Sequence, residues 1–266
     1  MVYRVDELIE NKINPITGNQ YDDSWIALVL TDSEDYQFLC GSQNGCAYTI
    51  KVSRVKCDDW KLSVGDFLSF NEANAKNIIL AMTETDHKAV NDYYKGHSYN
   101  EDALRENEPR VLVHSTPLNR WSLIKQGGML KSWNRLKAEH AVEEEHPIGI
   151  RLGDPMDFSD YIMFGGGVTG EIVVNSKQQG KIVMDINAEY QTGARLYFDA
   201  KRMAQDGLLI RDGCHIKVKD ILPLEPYFLF AATWDNIGLT SQTSTPKVFA
   251  QMADDAFQGK YQVLDI

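Results

Sequence analysis

No uninterrupted apolar run in the 266 residues approaches the ~20 residues a bilayer-spanning helix needs, so no membrane partner is expected. The opening residues, Met1-Val2-Tyr3-Arg4-Val5-Asp6-Glu7, lack the apolar core of a secretory signal, and a cytoplasmic home is the expectation. Cysteine is scarce. Cys40, Cys46, Cys57 and Cys214 form no CxxC pair, which indicates neither a zinc site nor a disulfide framework. Basic charge is short in the first part of the chain, where residues 1–109 carry 10 Lys and Arg against 19 Asp and Glu. That stretch should repel a phosphate backbone.

What is present fits a globular protein: 43% hydrophobic and 24% charged residues are enough to build a core and keep it soluble. Residues 110–235 are nearly balanced in charge, at 15 Lys and Arg against 16 Asp and Glu. The shift points to two domains, and any polyanion contact falls to the second. Residues 1–83 read as an acidic, β-rich unit with strands at Ser24–Thr31, Tyr36–Cys40, Cys46–Val55, Asp66–Phe70 and Asn77–Met82. Five short strands suggest a small closed barrel of the OB or SH3-like kind, serving protein contact or regulation. Residues 84–109 fit a linker with a short helix around Lys88–Tyr94, and 236–266 a C-terminal tail with an amphipathic segment at Lys247–Phe257.

Gly165, Gly167 and Gly170 satisfy G-x-G-x-x-G, a pattern with meaning only between a strand and a helix. The residues that follow, Glu171-Ile172-Val173-Val174, favour a strand, so the glycines read as a flexible loop. A strand at Arg110–His114 leads into a helical pattern over Pro117–Gly127, with Leu118, Trp121 and Ile124 on one face and Gly127-Gly128 as its stop.

Three blocks carry a resemblance. Val111–Leu130 (VLVHSTPLNRWSLIKQGGML) places a His at a strand end before a small residue, a Thr and a helix. Ile148–Gly153 (IGIRLG) reads as a short strand. Ala194–Tyr227 matches in order at Asp199, Ala200, Met203, Gly207, Asp212-Gly213, Ile216, Pro223 and Tyr227. Together they resemble the NAD-consuming domain of RNA 2′-phosphotransferases and the wider ADP-ribosyltransferase superfamily. Ser115 stands where the family usually has Gly, and Arg151 where it has His or Tyr. The segment Asp160–Thr192 has no counterpart.

The resemblance implies an α+β architecture: the β-barrel followed by an ADP-ribosyltransferase-like split β-sandwich over 110–235. It implies NAD as co-substrate, attacked at its nicotinamide ribose by a phosphate or hydroxyl oxygen of an RNA or protein acceptor. His114, Ser115, Thr116, Tyr161, Cys214 and His215 would line the cofactor site, with His114 and Arg151 nearest the chemistry. Arg120, Arg135, Arg195 and Arg202 are the cations available to a substrate phosphate. The catalytic Glu of poly-ADP-ribosylating enzymes is replaced by Cys214 or His215, as suits a phosphate nucleophile that needs no general base. Two alternatives stand beside this reading. One is a toxin- or defence-type ADP-ribosyltransferase, for which Glu171 or Glu189 would supply the carboxylate. The other is a non-enzymatic ligand sensor or scaffold with the same fold.

Overall fold

The computed structural model describes residues 1–96, 103–151 and 153–261, and the protein is mixed α+β. Its described residues divide into two compact units.

The first unit comprises residues 1–99 with 149–158 and 210–216. At its centre is a five-stranded sheet in the order Val2–Val5, Asn77–Ala81, Trp25–Thr31, Tyr48–Ser53, Phe38–Gly41. The first four strands run parallel and only Phe38–Gly41 is antiparallel. The expected barrel is therefore corrected to an open sheet. Parallel strands need a crossover rather than a hairpin, and Trp60–Ala73 supplies one as a helix from Tyr48–Ser53 to Asn77–Ala81, which lie on either side of Trp25–Thr31. The strand expected at Asp66–Phe70 lies inside that helix. Val64, Phe67, Leu68 and Asn71 are buried at helical spacing, and a five-residue window hides that period behind an apparent alternation.

The strands IALVL, TIKV and NIILA are apolar almost throughout because both faces are covered. Ile26, Leu28, Ile50, Val52, Ile78 and Leu80 pack with Val64, Phe67 and Leu68 of the crossover helix. Ala27, Ile79 and Ala81 point the other way, to Leu8 and Cys46. A second helix, Glu84–Gly96, lies on the crossover helix where Gly65 admits the Tyr94 ring.

The second unit has a three-stranded antiparallel sheet with Ala194–Asp199 between Phe228–Ala232 and Val111–Thr116. Three short antiparallel pairs flank it: Met129–Lys131 with Ile221–Pro223, Tyr161–Met163 with Lys217–Lys219, and Tyr190–Gln191 with Thr243–Ser244. The helix Leu118–Gly127 follows the His114 strand and stops at Gly128. Near the C-terminus, Pro246–Tyr261 forms a helix whose Phe249, Ala253 and Phe257 pack on Val111, Val113 and Tyr197. Tyr197 and Phe257 stack with ring centroids 4.4 Å apart. Among the described residues no helix is long and apolar enough to cross a membrane.

At Gly65 an added Cβ would lie 2.0 Å from Tyr94 Cδ2. Gly65→Ala gains helix propensity but forces the two helices apart, and the net expectation is a loss of roughly 1–3 kcal/mol. Urea denaturation of the full chain measures it, and a variant as stable as the parent would show that Tyr94 yields at no cost.

Candidate functional site

His114 sits on the edge strand of the second unit's sheet, two residues before that strand ends. Its Nδ1 lies 3.0 Å from the carbonyl oxygen of Met163. A carbonyl only accepts, so Nδ1 carries the proton and Nε2 is left as an acceptor. Burial pushes the imidazole down to about 4, against the Met163 hydrogen bond, so the ring is neutral at physiological pH. Phe164 meets it edge-on, with centroids 6.3 Å apart.

The glycine loop follows Met163 directly. The Gly165 amide donates to the carbonyl of Val113 at 3.0 Å, tying the loop to the His114 strand. A helix, Thr169–Gln179, then begins where a strand was expected. Glu171, Val174 and Asn175 are buried at helical spacing, and the β-branched run Ile172-Val173-Val174 is overridden by that packing. Gly170 is the contact point of helix and strand, because a Cβ there would lie 2.5 Å from Ser115 Oγ. The G-x-G-x-x-G thus does lie between a strand and a helix, although Tyr161–Met163 pairs antiparallel and no parallel βαβ unit surrounds it.

Behind this surface is a buried polar network. Ser115 donates to Glu171 Oε1 at 2.5 Å and Tyr190 to Glu171 Oε2 at 2.6 Å. Arg195 Nη1 lies 3.6 Å from Glu171, while its Nε and Nη2 donate to the two oxygens of Asp254 at 2.8 and 3.2 Å. Tyr197 donates to the same carboxylate at 2.7 Å. Arg195 and Glu171 are both wholly buried. Burial draws the Arg195 guanidinium down, but Asp254, Tyr197 and Glu171 outweigh it and hold it above its ordinary value. Glu171 is raised by burial, against the hydrogen bonds of Ser115 and Tyr190 and the charge of Arg195.

The network corrects two expectations. Arg195 serves internal carboxylates rather than a substrate phosphate, because its strand is the central one and neither face meets solvent. Glu171 is likewise enclosed and cannot reach a nucleophile. Asp254, which completes the network, was not anticipated. Arg195 and Tyr197, two apart on one face of an otherwise apolar strand, were its only trace in the sequence.

The remaining expected residues are dispersed. Thr116 is buried on the same strand as His114. Tyr161 is buried on its own short strand, with Lys217 Nζ 4.5 Å from its ring centroid. Arg120 donates to the Ala141 carbonyl, and Arg135 is paired with Glu139 and Asp220. Arg202 is exposed on the helix Ala200–Gln205. Glu189 is exposed beside Tyr190. The IGIR segment is a helical turn, Ile148–Arg151, rather than a strand. Gly149 there lies against Asp154, whose carboxylate would stand 2.1 Å from an added Cβ.

Arg151, Cys214 and His215 belong to the first unit, His114, Ser115 and Thr116 to the second. Cys214 and His215 stand beside Cys40 and Asp212. The thiol of Cys214, helped by His215 and opposed by burial, holds the Cys40 thiol below its ordinary range. Two small cavities are lined by first-unit side chains, and neither includes His114.

Comparisons of the chain with protein-family models, with curated proteins and with solved structures return no match.

Two outcomes follow from this geometry. Asp254→Ala leaves Arg195 buried without its main counter-charge and should cost about 3–5 kcal/mol in chemical denaturation. A loss below 1 kcal/mol would mean Glu171 alone satisfies the arginine. His114 takes a proton near 6.5 when unfolded and only near 4 when folded. The unfolded state therefore binds the extra proton between those values, and stability falls as pH drops through that window. His114→Gln should remove this acid limb, on the order of 2 kcal/mol, and unchanged pH-dependent stability would refute it.

Proposed function

We propose that the second unit is an NAD-dependent transferase resembling RNA 2′-phosphotransferases. We read its three-stranded sheet and flanking short pairs as an ADP-ribosyltransferase-like split arrangement. The observation that carries the reading is His114: a neutral imidazole at a sheet edge, its tautomer set by the Met163 carbonyl, beside a glycine loop that opens a helix. Nε2 then accepts from a ribose hydroxyl, which fits the nicotinamide half of NAD. When bound, NAD supplies a glycosidic carbon that an oxygen nucleophile attacks, with nicotinamide as leaving group.

The acceptor follows from what the network removes. With Glu171 enclosed, no carboxylate of the Thr169–Gln179 helix serves as general base. A nucleophile that is already anionic needs none. That favours a phosphorylated RNA over a neutral hydroxyl acceptor and weakens the toxin- or defence-type alternative, for which Glu189 remains the carboxylate to test. Of Arg120, Arg135, Arg195 and Arg202, the exposed one is Arg202, and we assign it to such a phosphate. Catalysis here is positioning and charge stabilisation. The non-enzymatic alternative, a ligand sensor with this fold, draws on the helical turn at Arg151, where the resemblance implies a strand.

The full chain should bind NAD in calorimetry and release nicotinamide when 2′-phosphorylated RNA is added. His114→Ala should weaken binding by on the order of 1 kcal/mol, roughly fivefold. No heat at millimolar NAD would end both enzymatic readings. Binding without nicotinamide release on any acceptor would favour the sensor. Release with unphosphorylated acceptors that Glu189→Gln abolishes would favour the defence-type enzyme.

A further inference from the structure

The first unit brings together soft donors that the sequence holds 174 positions apart. Cys40 lies on the edge strand Phe38–Gly41, and Cys214 and His215 lie on the returning segment 210–216. The two Sγ atoms are 3.1 Å apart, and Cys214 Sγ lies 3.1 Å from His215 Nδ1 and 3.5 Å from its Nε2. Donor atoms of all three residues fall within 4.8 Å of one another. A tetrahedral zinc ion, with bonds of about 2.3 Å to sulfur and 2.0–2.1 Å to nitrogen, sets an S···N edge near 3.6 Å and an S···S edge near 3.8 Å. Nε2 already stands at about the first distance from Cys214 Sγ. The thiols are closer than the second by about 0.7 Å, which rotation of two partly exposed side chains can open.

The surroundings orient these donors. Asp212 is buried, and its Oδ1 accepts the backbone amides of Cys214 and His215 at 3.3 and 2.9 Å. The same carboxylate oxygen lies 3.1 Å from His215 Nδ1. With Nδ1–H donating to the Asp212 carboxylate, Nε2 is presented as a ligand, the carboxylate–histidine–metal relay seen around bound zinc. Gly213, at φ +101°, presses this loop onto the crossover helix, where a Cβ would lie 2.6 Å from the Ser63 carbonyl oxygen. The donor loop is thus shaped by contacts independent of any ion.

We propose that Cys40, Cys214 and His215 form a zinc site, with Asp212 orienting the imidazole and a fourth position open to water or another donor. Two thiolates and an imidazole select zinc over magnesium or calcium, which take oxygen ligands. Binding displaces the two thiol protons to solvent and leaves a neutral core of one Zn²⁺ and two thiolates. A Cys40–Cys214 disulfide would need an oxidant and gives no role to His215 or Asp212. All four residues belong to the first unit, and zinc binding is measured without reference to the proposed NAD chemistry.

The test uses the full chain, purified under reducing, oxygen-free conditions, with zinc measured by elemental analysis and affinity by competition with a chromophoric chelator. One zinc per chain is expected, and cobalt in its place should give thiolate-to-cobalt charge-transfer absorption. Cys40→Ser, Cys214→Ser and His215→Asn should each lose that stoichiometric binding, with folding checked by circular dichroism. Asp212→Asn should keep the stoichiometry at saturating zinc but weaken affinity by roughly 10–100-fold. Should a variant fail to fold, the wild-type cobalt spectrum decides alone. A wild-type chain that takes up no zinc and shows no cobalt–thiolate band would overturn the proposal, as would zinc retained unchanged in the Cys40→Ser/Cys214→Ser double variant.

Discussion

A guanidinium cannot shed its proton at any pH a protein meets, so burying Arg195 in the middle strand of a sheet obliges the chain to bring carboxylates to it. Asp254 arrives on the C-terminal helix and Glu171 on the helix after the glycine loop. Tyr190 and Tyr197 each donate a hydrogen bond to one of these carboxylates. This one requirement fixes where four elements of the second unit must lie. Because Ser115 donates into the same network, the backbone of its neighbour His114 is held as well. The rigidity of the candidate site is inherited from the core behind it, and the cost is that Glu171 is lost to chemistry.

Both histidines singled out in the chain follow one rule. In each, a hydrogen bond at Nδ1 decides what Nε2 can do: the Met163 carbonyl for His114, the Asp212 carboxylate for His215. The partners differ in charge, and so do the tasks they permit. A backbone carbonyl leaves a neutral ring suited to a hydroxyl, whereas a carboxylate makes the ring a stronger donor of its lone pair, suited to a metal.

Sequence patterns located the strands Trp25–Thr31, Phe38–Gly41, Tyr48–Ser53, Asn77–Ala81 and Val111–Thr116, because their alternation and apolar runs follow from local burial. Pairing direction was not legible, since parallel and antiparallel strands differ in what lies between them rather than within them. The Trp60–Ala73 helix was not legible because Asp66–Phe70, taken alone, alternates like a strand, and the burial of Val64, Phe67 and Asn71 at helical spacing shows only over the longer stretch. Likewise, Glu171–Val174 has strand-like residues whose helical state depends on Arg195 and Ser115, distant in sequence. His114 was found through its place at a strand end. Arg195 was also noticed, but its role was not, because only the fold reveals that its strand is central. The Cys40–Cys214–His215 cluster left no spacing signal at all, as its members meet only through tertiary structure.

The first unit takes residues 149–158 and 210–216 from late in the chain. During synthesis the five-stranded sheet is on hand early, yet the loop bearing Gly213 and Cys214 cannot reach it until residue 216 has left the ribosome. At about 5–20 residues per second, the chain beyond Tyr99 takes on the order of ten seconds to supply that segment. Through that interval Cys40 and the crossover-helix backbone at Ser63 lack the Gly213–Cys214 loop that packs on them in the finished protein. Order of emergence therefore sets a period of vulnerability in the acidic half, which its surplus of negative charge helps the nascent chain to survive without association.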